Sequence, residues 1–116
     1  MSMTSEGLFT FLAIMAVSVL IIVFIADTIG NMLVFDNRFM NALVTGLVFV
    51  FLFGAIYFFF GDFASPQLVL VGGFLVFCSD LISNALVFSN RFANSLLTAL
   101  ITIAALGSVI YFFVAN

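Results

Sequence analysis

The chain has 116 residues, 66% of them hydrophobic and 6% charged, with a mean hydropathy of +1.47. A soluble domain of this size could not hide so much apolar surface, because a dispersed protein needs a surface that is roughly half polar. Net charge is −3, from Glu6, Asp27, Asp36, Asp62 and Asp80 against Arg38 and Arg91; this leaves no basic patch for nucleic acid. One cysteine (Cys78) and no histidine exclude an internal disulfide and an ordinary zinc or haem site, so neither metal nor cofactor is expected.

The N-terminal MSMTSEG carries no positive charge, unlike the basic start of a secretory leader, so the first apolar segment reads as a retained helix. Thr4 or Ser5 suits its N-cap, with Glu6 in the first turn. Four segments can each supply the roughly 20 apolar residues that cross a bilayer. They lie within Leu8 to Phe35, Phe39 to Phe60, Leu68 to Phe88 and Phe92 to Val114. Their continuous apolar runs do not alternate as barrel strands do.

Asp36-Asn37 and Ser89-Asn90 are very short connections, so each predicts a tight antiparallel hairpin. Gly61 to Pro66 joins the hairpins, and the only proline falls at a helix start. Tyr57-Phe58-Phe59-Phe60 and Tyr111-Phe112-Phe113 suit an interfacial aromatic belt.

One stretch occurs twice. Asp27 to Thr45, DTIGNMLVFDNRFMNALVT, recurs as Asp80 to Thr98, DLISNALVFSNRFANSLLT, an offset of 53 residues (80 − 27). From Phe24 to Leu47 against Phe77 to Leu100, 14 of 24 positions are identical, which predicts an internal duplication. The fold class expected is an all-α integral membrane protein with four transmembrane helices. They form two tandem helical hairpins related by a pseudo-two-fold axis along the membrane normal. Residues 1–116 make one transmembrane domain, with repeat one at about 14–60 and repeat two at about 67–113. Residues before Ile14 form an extension of the first helix.

The polar residues recur at helical spacing and line one face. Asp27 and Asn31 are four apart, as are Asn41 and Thr45; Asp80 with Asn84, and Asn94 with Thr98, repeat the pattern. Counted from the turns, the asparagines lie at a depth of about 7 Å, and the aspartates and threonines at about 13 Å. Small residues run beside them: Ala26, Gly30, Ala42 and Gly46 match Ser79, Ser83, Ser95 and Ala99, and such spacing lets helix backbones approach. The stripe is therefore expected to face protein. Its bland role is interhelical glue; its sharper role is a polar pathway or a site for protons or a small cation, because an intramembrane carboxyl is a functional candidate by default. Arg38 and Arg91 are expected at a pore mouth or as topology signals. By the positive-inside rule their turns are cytoplasmic and both termini lie outside.

The functional expectation is an oligomeric channel or transporter for protons or a small cation, with Asp27 and Asp80 at its centre. The alternative is an accessory subunit of a larger membrane complex. The expected partners are the lipid bilayer and either further copies or a larger complex. No nucleophile–base pair points to an enzyme.

Overall fold

The computed structural model describes residues 4–60 and 66–115. Its four helices, in chain order, are α1 (Ser5–Leu33), α2 (Arg38–Phe60), α3 (Pro66–Leu86) and α4 (Arg91–Ala115). All four are long and apolar enough to cross a membrane. At 1.5 Å per residue, the 29 residues of α1 span about 43 Å and the 21 of α3 about 32 Å, against a hydrocarbon core of about 30 Å.

Local chemistry sets the helix ends. Thr4 caps α1, its hydroxyl accepting from the Gly7 amide at 2.9 Å, with Glu6 in the first turn. The helix runs unbroken through the expected extension, where Phe9 and Phe11 are exposed. α3 begins at Pro66, whose fixed φ suits a first helical position. Gly61 to Ser65, including Asp62, lie outside the described residues, as do the side chains of Tyr57, Phe60 and Phe113. Tyr111 is exposed near the end of α4.

The two short turns, residues 34–37 and 87–90, are built alike. Asn37 accepts from the Met40 amide at 3.1 Å and starts α2; Asn90 accepts from the Ala93 amide at 3.0 Å and starts α4. Each asparagine is thus an N-cap. α1 packs on α2 and α4, and α3 packs on α2 and α4, so the helices form a closed ring in chain order. Both turns lie at one end of the bundle, where Phe35 and Phe88 stack with centroids 4.6 Å apart.

Burial is inverted relative to a soluble domain. Among the described residues, twelve buried side chains are polar and nine are apolar, whereas polar residues are normally the exposed ones. Large apolar residues point outward, Phe51 and Phe58 each at 81% exposure. The apolar part of the interior lies away from the turns and contains Val19, Val23, Phe49, Phe53, Val69 and Val76. Ala26, Ala42 and Ala99 are fully buried, and Ser79, Ser83 and Ser95 nearly so, which is why the helices approach closely beside the polar face. Cys78 is partly buried and free.

Candidate functional site

All eight polar residues of the stripe are buried. Asp27, Asn41, Thr45, Asp80, Asn94 and Thr98 have no solvent exposure, and Asn31 and Asn84 have 2% or less. They occupy two layers, each taking one residue from every helix.

The layer nearer the turns is a ring of four amides. Asn41 on α2 donates to the Asn31 oxygen on α1 at 2.7 Å. Asn31 donates to Asn94 on α4 at 3.4 Å. Asn94 donates to Asn84 on α3 at 2.6 Å, and Asn84 donates to Asn41 at 3.0 Å, which closes the circle. Every amide therefore donates in the same rotational sense.

The backbone dictates that sense. A carboxamide has two N–H donors on one side and an acceptor oxygen on the other. Each of the four nitrogens also donates to a main-chain carbonyl: Asn41 to Val34, Asn94 to Val87, Asn84 to Arg38 and Asn31 to Arg91. Val34 and Val87 lie just beyond the ends of α1 and α3, where helix carbonyls lack partners. With each nitrogen held by a carbonyl, each oxygen must face the neighbouring amide. Asparagine supplies both donor and acceptor; an aspartate or leucine at any of the four places would open the ring.

The deeper layer alternates carboxyl and hydroxyl. Thr45 donates to Asp27 at 2.8 Å, and Thr98 donates to Asp80 at 2.6 Å. The other carboxyl oxygens lie 3.4 Å from the side-chain nitrogens of Asn31 and Asn84, which brings the two layers into contact. Asp80 also lies against the Asp27 carboxyl and the Thr45 hydroxyl. The two carboxyls thus meet at the centre of the bundle. Beyond them, toward the termini, the interior contains the fully buried Val23 and Val76.

The arginines do something simpler than reach inward. Arg38 lies over the Phe88 ring at 5.3 Å, and Arg91 over the Phe35 ring at 4.7 Å. Each arginine thereby contacts the hairpin to which it does not belong, outside the stacked phenylalanine pair. The carboxyl partners are asparagines, threonines and one another; no arginine is among them.

Sequence spacing located the face and its layers, and pairs such as Asp27 with Thr45 lie in one hairpin as the depth count implies. It missed three pairs of contributors. Ser83 donates to the Asn94 carbonyl at 3.0 Å, and Ser95 accepts from Asn31 at 2.9 Å; both read from sequence only as small spacers. Asn37 and Asn90 cap helices, a role that their place just before an apolar run already signals. Phe35 and Phe88 form the stack, for which sequence offered only their place beside the turns.

Among the described residues, every buried side-chain nitrogen and oxygen has a hydrogen-bond partner, and no cluster of three or more His, Cys, Asp or Glu could hold a metal ion. Comparison with protein-family models, with curated proteins and with solved structures finds no match to this chain.

Proposed function

We propose that this chain is a multi-pass membrane protein whose paired carboxyls, Asp27 and Asp80, bind and release a proton during transport. The observation that carries this reading is the contact between two fully buried carboxyls. Two unit charges at contact distance repel strongly where the dielectric is low. A carboxyl pair therefore sits together most stably with a proton between its members. The threonine hydroxyls support the member that carries the charge. Glue alone would be served by Asn or Ser at these positions, without a carboxyl inside the membrane. Because the carboxyl oxygens are already engaged by Thr, Asn and each other, a proton suits the pair better than a metal cation.

Support for the membrane setting comes from the inverted burial and the four apolar helices. Support for duplication comes from reciprocal contacts. Phe24 meets Phe92 edge-on at 5.6 Å, and Phe39 meets Phe77 at 5.7 Å, which is the same contact with the roles exchanged at an offset of 53. Such reciprocity is the signature of a two-fold axis. In this reading residues of about 14–60 and 67–113 are parallel repeats, and the axis runs along the membrane normal. The arginine turns then face the cytoplasm and the termini lie outside. The amide ring stands between the carboxyls and the turn end, so proton exchange with that side requires the ring to open. Self-association would bring several such units together.

A second reading is favoured by the saturation of the polar network. In it the layers are register-setting glue, and the chain is an accessory subunit of a larger complex. Proton flux through liposomes containing the purified chain separates the two. Transport predicts flux that falls to background in the D27N/D80N double variant while that variant remains folded. Undiminished flux in the folded double variant would overturn the carboxyl pathway. A silent parent chain, inserted and folded, would favour the accessory role.

A further inference from the structure

We infer that the seam between α1 and α4 holds one anionic phospholipid, with Arg91 on its phosphate and one acyl chain in an apolar crevice beside the amide ring. The inference rests on the membrane reading above but not on proton transport.

A cavity of about 260 Å³ opens at this seam, far larger than the roughly 30 Å³ a water occupies in the liquid. Phe24, Thr28 and Met32 of α1 line one wall, and Phe92 and Ser95 of α4 the other, with Asn31 at the base and Arg91 at the rim. Its lining is polar in name only. The Thr28 hydroxyl donates to the Phe24 carbonyl at 2.7 Å, and the Asn31 N–H groups are taken by Ser95 and the ring. Hydrocarbon therefore suits the crevice, and a polar solute does not.

The rim supplies charge complementarity. Arg91 lies with its guanidinium over the Phe35 ring. A guanidinium has five N–H donors in a planar fork, which matches an oxyanion in a bidentate way. The chain has no Lys, so Arg91 is one of only two cationic side chains. A single lipid offers both complements at once, an anionic head at the helix end and a chain running along the helices.

The corresponding seam between α2 and α3 is built differently. There Leu81 stands in the place of Thr28 and Ala42 in the place of Ser95. Gly46 and Gly73 also meet across it, so closely that a Cβ on Gly46 would lie 3.1 Å from the Gly73 carbonyl oxygen. On the α1–α4 side those places hold Ala99 and Leu20, so that seam lacks the glycine pair. Arg38 thus has the charge of Arg91 beside a seam with a different lining.

The test reconstitutes the full chain in vesicles of equal phosphatidylglycerol and phosphatidylcholine, extracts it gently, and counts retained lipids by native mass spectrometry. The parent should retain one phosphatidylglycerol in preference to phosphatidylcholine. Arg91→Gln should lower that retention about fivefold, the factor one surface cation contributes. Thr28→Leu, which copies the α2–α3 seam, should abolish it, and Arg38→Gln should leave it unchanged. Equal loss from the two arginine variants, equal retention of the two lipids, or unchanged retention in Thr28→Leu would each overturn the site. A chain that fails to enter the vesicles at all would instead overturn the membrane reading on which the site depends.

Discussion

The two hairpins carry the same polar frame but differ at the small residues beside it. In the first, Gly30 faces Thr45; a Cβ at Gly30 would fall 2.4 Å from the Thr45 hydroxyl oxygen and 3.3 Å from its Cα. In the second, Ser83 occupies the matching place, and its hydroxyl donates to the Asn94 carbonyl. Ala42 of the first hairpin is replaced by Ser95, which draws an Asn31 N–H to itself at 2.9 Å. The consequence is visible in the ring: Asn84 reaches Asn41 at 3.0 Å, whereas Asn31 reaches Asn94 at only 3.4 Å. Groups that must donate and accept in fixed directions are the same in both halves. Groups that set helix spacing vary, and the variations change local hydrogen bonds rather than the layer plan.

The sharpest way to break this comparison is to exchange the spacers. Gly30→Ser should destabilise the protein by about 1–3 kcal/mol, the usual cost of overpacking. Thr45 cannot rotate aside without giving up its bond to Asp27. Ser83→Gly loses only a hydroxyl and a Cβ, and should cost less than half as much. Unfolding in mixed detergent micelles, followed by circular dichroism, measures both; equal costs would show that the two hairpins are spaced alike after all.

The ring offers a smaller contrast. Asn84→Ala removes three interhelical bonds, to Arg38 and Asn41 and from Asn94. Asn31→Ala removes four, to Arg91, Asn94 and Ser95 and from Asn41. At about 0.6 kcal/mol for each interhelical hydrogen bond in a membrane, Asn84→Ala should cost about 1–2 kcal/mol and Asn31→Ala somewhat more. The same unfolding assay checks the order, and a larger loss from Asn84→Ala would contradict it.

Ser95→Ala is the mildest change, since it gives the second hairpin the alanine of the first. One bond disappears, at about 0.6 kcal/mol, and the freed Asn31 N–H turns fully to Asn94. Stability should therefore change little, while the side-chain amide resonances of Asn31 and Asn94 shift toward those of Asn84 and Asn41. Unchanged resonances would show that Ser95 does not compete for the ring.

Much of this architecture was legible in the sequence for a simple reason. A helix spaces its residues at 3.6 per turn whatever surrounds it, so Asp27, Asn31, Asn41 and Thr45 had to share a face and a depth once the turn at Asp36-Asn37 was placed. Hydrophobic length set the four helices, and Thr4 and Pro66 marked where two of them begin.

Partner choice across the bundle was not legible. Spacing states which residues share a face but not which face of another helix it meets, since that depends on helix rotation and crossing. Only the tertiary structure decided that Asn84 reaches across to Asn41 as well as accepting from Asn94 of its own hairpin, and that Arg91 covers Phe35 instead of approaching Asp80. The same arrangement set the two carboxyls against one another. Each of these contacts between hairpins joins residues 43 or more apart in the chain, and it forms because the small residues of both hairpins allow four helices to close around one polar axis.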